Sequence, residues 1–152
     1  MKRIKVLNGP NLNLLGLREV NIYGDINLSS IKDNMTRISN SFGWELVFKE
    51  SNHEGVIIDE IQDCMNGFSA LIINAGGYTH SSVSIRDALA ALKIPKIDVH
   101  ISNIFGREEF REKNLISPVC NGTITGFGYL SYNIAMFALK EILVKEDENG
   151  NI

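Results

Sequence analysis

A chain of 152 residues fits one domain and can bury roughly two-thirds of the surface its unfolded form exposes. Its 44% hydrophobic and 22% charged content is that of a globular protein, and a net charge of −3 without a basic face argues against a nucleic-acid binder. No apolar run approaches the ~20 residues of a membrane span, the first residues (Met1-Lys-Arg-Ile-Lys-Val) carry no secretory pattern, and Cys64 and Cys120 form neither a metal motif nor a disulfide framework. The expectation is a cytoplasmic protein without membrane or nucleic-acid partners.

In chain order, strands alternate with helices. Ile4–Leu7 reads as a first strand that ends abruptly in Asn8-Gly-Pro-Asn-Leu-Asn13. A helix follows Asn27, with Ile31, Met35, Ile38 and Phe42 on one face and Gly43 as its stop. Trp44–Phe48 is a second, edge strand. A helix from Glu54 to Asn66 turns Ile57, Ile61, Cys64 and Met65 inward and stops at Gly67. Phe68–Ile73, a short apolar run before Asn74-Ala-Gly-Gly, suits a central strand covered on both sides. The next helix, Ser82–Leu92, ends before Pro95, and Lys96–Val99 is the fourth strand. Arg107–Lys113 interleaves basic and acidic residues like a solvated helical turn. A fifth strand lies within Ile116–Thr125, a helix runs from Tyr129 to Lys145, and polar residues 146–152 form a frayed tail. No linker or repeat divides 1–152.

This alternation implies an α/β fold: a flavodoxin-like, doubly wound, five-stranded parallel sheet in the order 2-1-3-4-5. Ligands of such sheets bind beyond the carboxyl ends of the strands, at the switch point between strands one and three. That rule gathers Asn8, Asn11, Asn13, Arg18 and Tyr23 after strand one with Asn74, Tyr78, Thr79 and His80 after strand three. His100, Ser102 and Asn103 follow strand four. A fixed cation close to a phenol favours the phenolate, so Arg18 with Tyr23 makes a candidate base. Taken singly, each residue also has a structural use. Tyr23 can pack inward, Asn74 can serve a turn, His80 can cap the helix that Ser81 or Ser82 caps more readily, and His100 can end a strand. Their shared edge favours a site.

The first loop lacks the glycine-lysine pattern of a nucleotide P-loop, the Gly-x-Gly-x-x-Gly of a dinucleotide fold and the hydroxyl run expected around a flavin phosphate. No acidic pair marks a phospho-acceptor domain, and the spacing of His80 and His100 gives a metal site no support. The pattern points to cofactor-free, metal-free acid–base chemistry on a small anionic molecule.

Several segments then resemble one family. Asn8-Gly-Pro-Asn-Leu-Asn-Leu-Leu-Gly-x-Arg-Glu with Tyr23-Gly, Ile72-Ile-Asn-Ala-Gly-Gly-Tyr-Thr-His80 and Val99-His-Ile-Ser-Asn-Ile104 are similar to the type II 3-dehydroquinate dehydratases. So are Ser82-Val-x-Ile-Arg-Asp-Ala-Leu89, Arg107-Glu-Glu-Phe-Arg111, Ile116-Ser-Pro-Val119 and Gly126-Phe-Gly128; the likeness runs from about Lys5 to Leu143. The resemblance implies a lyase that removes water from 3-dehydroquinate to give 3-dehydroshikimate in the shikimate pathway, without cofactor. It implies that Tyr23 is the phenolate base, that Arg18 holds it ionised, that His100 is the acid and that Asn11 orients a water at the enolate. By the same resemblance Asn74 and the backbone of Ile101 and Ser102 hold the substrate carboxylate, while His80 and Arg111 bind ring hydroxyls. Asp87 reaches in from a neighbouring subunit of a dodecamer built from trimers.

Some positions depart from the family pattern. Val20 stands where proline commonly follows Arg-Glu, which would loosen the loop; Asp98 replaces a frequent glutamate, shortening the reach of a carboxylate that could orient His100. Phe105 and Lys113-Asn-Leu115 replace residues that are often histidine or aromatic. The rival readings are a catalytically silent flavodoxin-like module that binds an anionic metabolite, and another cofactor-free lyase or isomerase.

Overall fold

The computed structural model describes residues 1–17 and 19–150, and among them a single sheet holds five strands. These are β1 (Arg3–Asn8), β2 (Glu45–Glu50), β3 (Ala70–Asn74), β4 (Lys96–His100) and β5 (Gly122–Thr125). They pair in the order β2-β1-β3-β4-β5, every pair parallel. The helices are α1 (Val20–Tyr23), α2 (Leu28–Ser41), α3 (Glu54–Asp63), α4 (Val83–Ala91) and α5 (Leu130–Gly150). The expected fold class and strand order are those observed. None of the described helices is long and apolar enough to cross a membrane.

Period-two alternation along the strands divides the core into two layers. Ile4, Val6, Ala70, Ile72, Ile97 and Val99 face α2 and α5, where Ile31, Met35, Ala135 and Leu139 meet them. Leu7, Leu71 and Ile73 face α3 and α4, against Ile57, Ile61, Ile85 and Leu89. The same alternation drives Lys5 into the second layer, fully buried; its ammonium donates to Glu60 Oε2 at 2.7 Å and Asp63 Oδ2 at 2.8 Å. Helix starts follow the sequence signals. Asn27 Oδ1 accepts from the Ser30 amide at 2.9 Å, and Ser82 Oγ from the Ile85 amide at 3.0 Å.

Two expectations are corrected. Met65 is exposed, because α3 ends at Asp63 and the chain turns before that side chain reaches the core. Residues 146–150 continue α5 instead of fraying, and Asp147 pairs with Lys2 across 3.0 Å.

The switch point depends on close backbone approach. The Gly9 amide donates to the Asn74 carbonyl at 2.7 Å. A Cβ on Gly9 would lie 2.5 Å from the Ala75 oxygen. Gly76, at φ 58°, packs against the Pro10 carbonyl, a conformation that costs glycine little. The loops after β1 and β3 therefore leave the sheet side by side and then diverge, opening a cleft.

Candidate active site

The cleft at the carboxyl ends of β1, β3 and β4 has a volume of about 120 Å³. The loop after β1 contributes Asn11 and Tyr23, the end of β3 and the turn after it contribute Asn74 and His80, and the segment after β4 contributes Ile101, Ser102, Arg107 and Arg111 beside His100. The structure thus brings together eight of the ten residues to which the resemblance gives a role. Asp87 is not among them: on α4, its side chain is 67% exposed and lies 3.7 Å from Arg86. Arg18 lies outside the described residues. Asn8, Asn13, Tyr78, Thr79 and Asn103, gathered by strand order, do not line this cleft.

Tyr23 closes α1 and is half-buried. Arg107 Nη1 donates to its phenolic oxygen at 2.6 Å, with the guanidinium carbon 5.1 Å from the ring centroid. The sequence reading of 107–113 as a solvated helical turn is therefore corrected at Arg107, whose side chain is only 10% exposed. Its place in the Arg107-Glu-Glu-Phe-Arg111 motif was the available signal, but the alternation of charges masked it. Glu108 accepts from Arg111 Nε at 2.7 Å, and the two arginine neighbours help hold its carboxyl below the usual range, chiefly with backbone hydrogen bonding.

His100 ends β4, almost fully buried. Its Nε2 lies 2.9 Å from Asp98 Oδ2, so the shorter carboxylate still reaches the ring. A carboxylate only accepts, which makes Nε2 the donor and leaves Nδ1 as the ring nitrogen available to a ligand. His80 is set differently. Burial holds it below the ordinary histidine range, with His100 and Arg111 acting in the same direction against the Lys113 carbonyl bond. Its Nδ1 meets that carbonyl at 2.8 Å, so the neutral ring donates there and offers Nε2 as an acceptor.

Asn74 is oriented from behind. Its Oδ1 accepts from the Gly76 amide at 3.1 Å and its Nδ2 donates to Tyr132 Oη at 3.0 Å, leaving one amide hydrogen for the cleft. Tyr132 in turn donates to Asn8 Oδ1 at 2.6 Å. Burial pushes the Tyr132 phenol up, so it acts as a neutral link. Sequence reasoning missed this residue, which sits on the inner face of α5 where an aromatic reads as core. Asn11 takes a left-handed conformation (φ 67°), and its amide donates to Asn52 Oδ1 at 2.9 Å. Among the described residues no cluster of three or more His, Cys, Asp and Glu could hold a metal ion.

Residues 2–140 match the model of the dehydroquinase class II family. The chain is 54% identical over 144 residues to the 3-dehydroquinate dehydratase of Caldicellulosiruptor bescii, covering 94% of this chain and 99% of the relative. It is 51% identical over 140 residues to the 3-dehydroquinate dehydratase of Campylobacter jejuni subsp. doylei, covering 92% and 88%. Among solved structures, the type II dehydroquinase of Butyrivibrio crossotus superposes with a TM-score of 0.90 at 48% identity, covering 91% of this chain and 97% of that one.

Proposed function

The chain belongs to the class II dehydroquinase family, and on that premise we propose that its cleft dehydrates 3-dehydroquinate to 3-dehydroshikimate, the shikimate-pathway lyase reaction. The observation that carries the reading is the convergence of an arginine-held phenol, Tyr23, and a carboxylate-held imidazole, His100, on one cleft. An elimination of water α,β to a ketone needs one base and one acid.

The Tyr23 oxygen, as phenolate, takes the proton from the carbon between the ketone and the hydroxyl-bearing carbon, and the C–H electrons move onto the ketone oxygen. Arg107 stabilises the phenolate through a charge-assisted bond, and the family resemblance gives Arg18 the role of holding the phenol ionised. The enolate is held by a water that Asn11 orients, a donor in place before charge develops. It then collapses to the enone. The C–O bond breaks, and the departing hydroxyl takes a proton from His100, which must hold two protons to release one from Nδ1 while Nε2 stays with Asp98. The proton on Tyr23 returns to solvent as His100 regains one, so the net product beside the enone is water.

Asn74 and the backbone of Ile101 and Ser102 bind the substrate carboxylate. His80 accepts from a ring hydroxyl through Nε2, and Arg111 donates to another. Asp87 completes the cleft of a neighbouring subunit in a dodecamer assembled from trimers; its exposure and its absence from the lining of its own cleft favour a contribution in trans. The enzyme works in the cytoplasm, in keeping with two unpaired cysteines. An absorbance assay for the enone formed from 3-dehydroquinate tests the proposal. A correctly folded protein that binds the compound without forming enone would leave the silent binding module as the better reading.

A further inference from the structure

The three residues Lys113, Asn114 and Leu115 form a strap across the back of both cleft histidines. The Lys113 carbonyl meets His80 Nδ1 at 2.8 Å, Asn114 Nδ2 donates to Asp98 Oδ2 at 2.7 Å, and the Leu115 amide donates to the Thr79 carbonyl at 2.9 Å. Asp98 is fully buried, and its Oδ1 has no hydrogen-bond partner among the described residues. Every donor it receives falls on Oδ2: His100 Nε2 at 2.9 Å, Asn114 Nδ2 at 2.7 Å and Thr123 Oγ1 at 3.3 Å. The Thr123 hydroxyl carries one proton and has a shorter partner in Ser117 Oγ at 2.7 Å, so its hold on Asp98 is weak. Asn114 is thus the one strong neutral donor to this carboxylate.

We infer that Asn114 is a positioning residue of the reaction, which acts through Asp98 to keep the His100 ring aimed with Nδ1 toward the substrate. A buried carboxylate left with His100 and the weak Thr123 contact alone is poorly stabilised. Without Asn114 it would rotate to find another donor or draw the Nε2 proton onto itself, and either change spoils the ring as an acid. The inference rests on the role proposed for His100.

The side chain of Asn114 does two separable things. Its Oδ1 accepts from the amides of Ile116 and Ser117, both at 2.9 Å, and so shapes the turn; only Nδ2 addresses Asp98. Replacement by alanine would abolish both. Asn114→Asp retains the turn acceptor, removes the donor and sets a second carboxylate beside Asp98, so it presses on that carboxylate without breaking the turn. In it, kcat for 3-dehydroquinate should fall roughly tenfold or more, part of the ~10²–10⁴ that a positioned acid supplies, while KM moves less than about threefold. In Asp98→Asn/Asn114→Asp the pair again holds one carboxylate and one amide, the like-charge repulsion is relieved, and the loss should be smaller than the product of the two single losses. Nitrogen spectra of the protein labelled at its three histidines read the ring directly. The parent should show His100 protonated at Nε2, and Asn114→Asp should disturb that signal and leave His53 unchanged. The spectra report on the strap even if the parent fails to turn over 3-dehydroquinate, an outcome that would sink the proposed function alone. An Asn114→Asp variant with kcat within twofold of the parent and an unaltered His100 signal, or one that loses only melting temperature, would overturn the inference.

Discussion

Arg107 and Tyr23 stand 84 residues apart in the chain, and the guanidinium donates to the phenolic oxygen across 2.6 Å. Tyr23→Phe removes the proposed base and leaves the ring in place, so turnover should fall by about 10²–10⁴ while the substrate still binds. Arg107→Ala should lower kcat in the same direction, with Arg107→Lys recovering part of it, since an ammonium keeps the charge but not the planar fork. Steady-state kinetics check both; a Tyr23→Phe enzyme within tenfold of the parent would remove the phenol from the mechanism.

Tyr132→Phe should destabilise the fold and blunt binding together. It leaves Asn8 Oδ1 and one hydrogen of Asn74 Nδ2 buried without their partner. Each such loss is worth about 1–3 kcal/mol, and a chain of this size loses about 2–4 °C of melting temperature per kcal/mol. Thermal melts, with KM measured alongside, give the two readouts, and unchanged values in both would show that Asn74 is held without Tyr132.

Because burial lowers the pKa of His80 in the folded state, the unfolded chain protonates this residue first as pH falls. The stability linked to the neutral ring is complete above the unfolded value of ~6.5 and is lost as pH drops through the lower folded value. His80→Gln should therefore flatten the fall of melting temperature between about pH 7 and pH 5. Parallel curves for parent and variant would contradict this sign.

Borohydride added with substrate should not inactivate the enzyme, and EDTA should have no effect. Among the described residues no lysine lines the cleft. Lys5 is engaged with Glu60 and Asp63, and Lys96 with the carbonyls of Leu92 and Ile94. Irreversible loss of activity with a lysine adduct in the mass spectrum would require an imine route.

Asp87→Ala should raise KM, and mixing it with Tyr23→Phe subunits under exchange conditions should regenerate some clefts with both residues intact. Sedimentation at assay concentration should show an oligomer. A monomer with full activity would refute the contribution in trans, since this carboxylate does not line the cleft of its own chain.

Much of this protein is legible in its sequence. Strand and helix periods, the Asn27 and Ser82 caps and the abrupt end of the first apolar run depend on neighbours within a few residues, and they specify the doubly wound sheet and its ligand-binding edge. Asn11, Tyr23, Asn74, His80 and His100 follow from that edge, because strand order dictates which loops meet. Tertiary structure alone decided what stands behind them. Arg107 leaves a run of mixed charge to reach Tyr23, Tyr132 turns from a core aromatic into a link between two asparagines, and Asn114 supplies the second donor to Asp98. These pairings join segments far apart in the chain, and the direction of a side chain at the end of a loop depends on packing that no local period encodes.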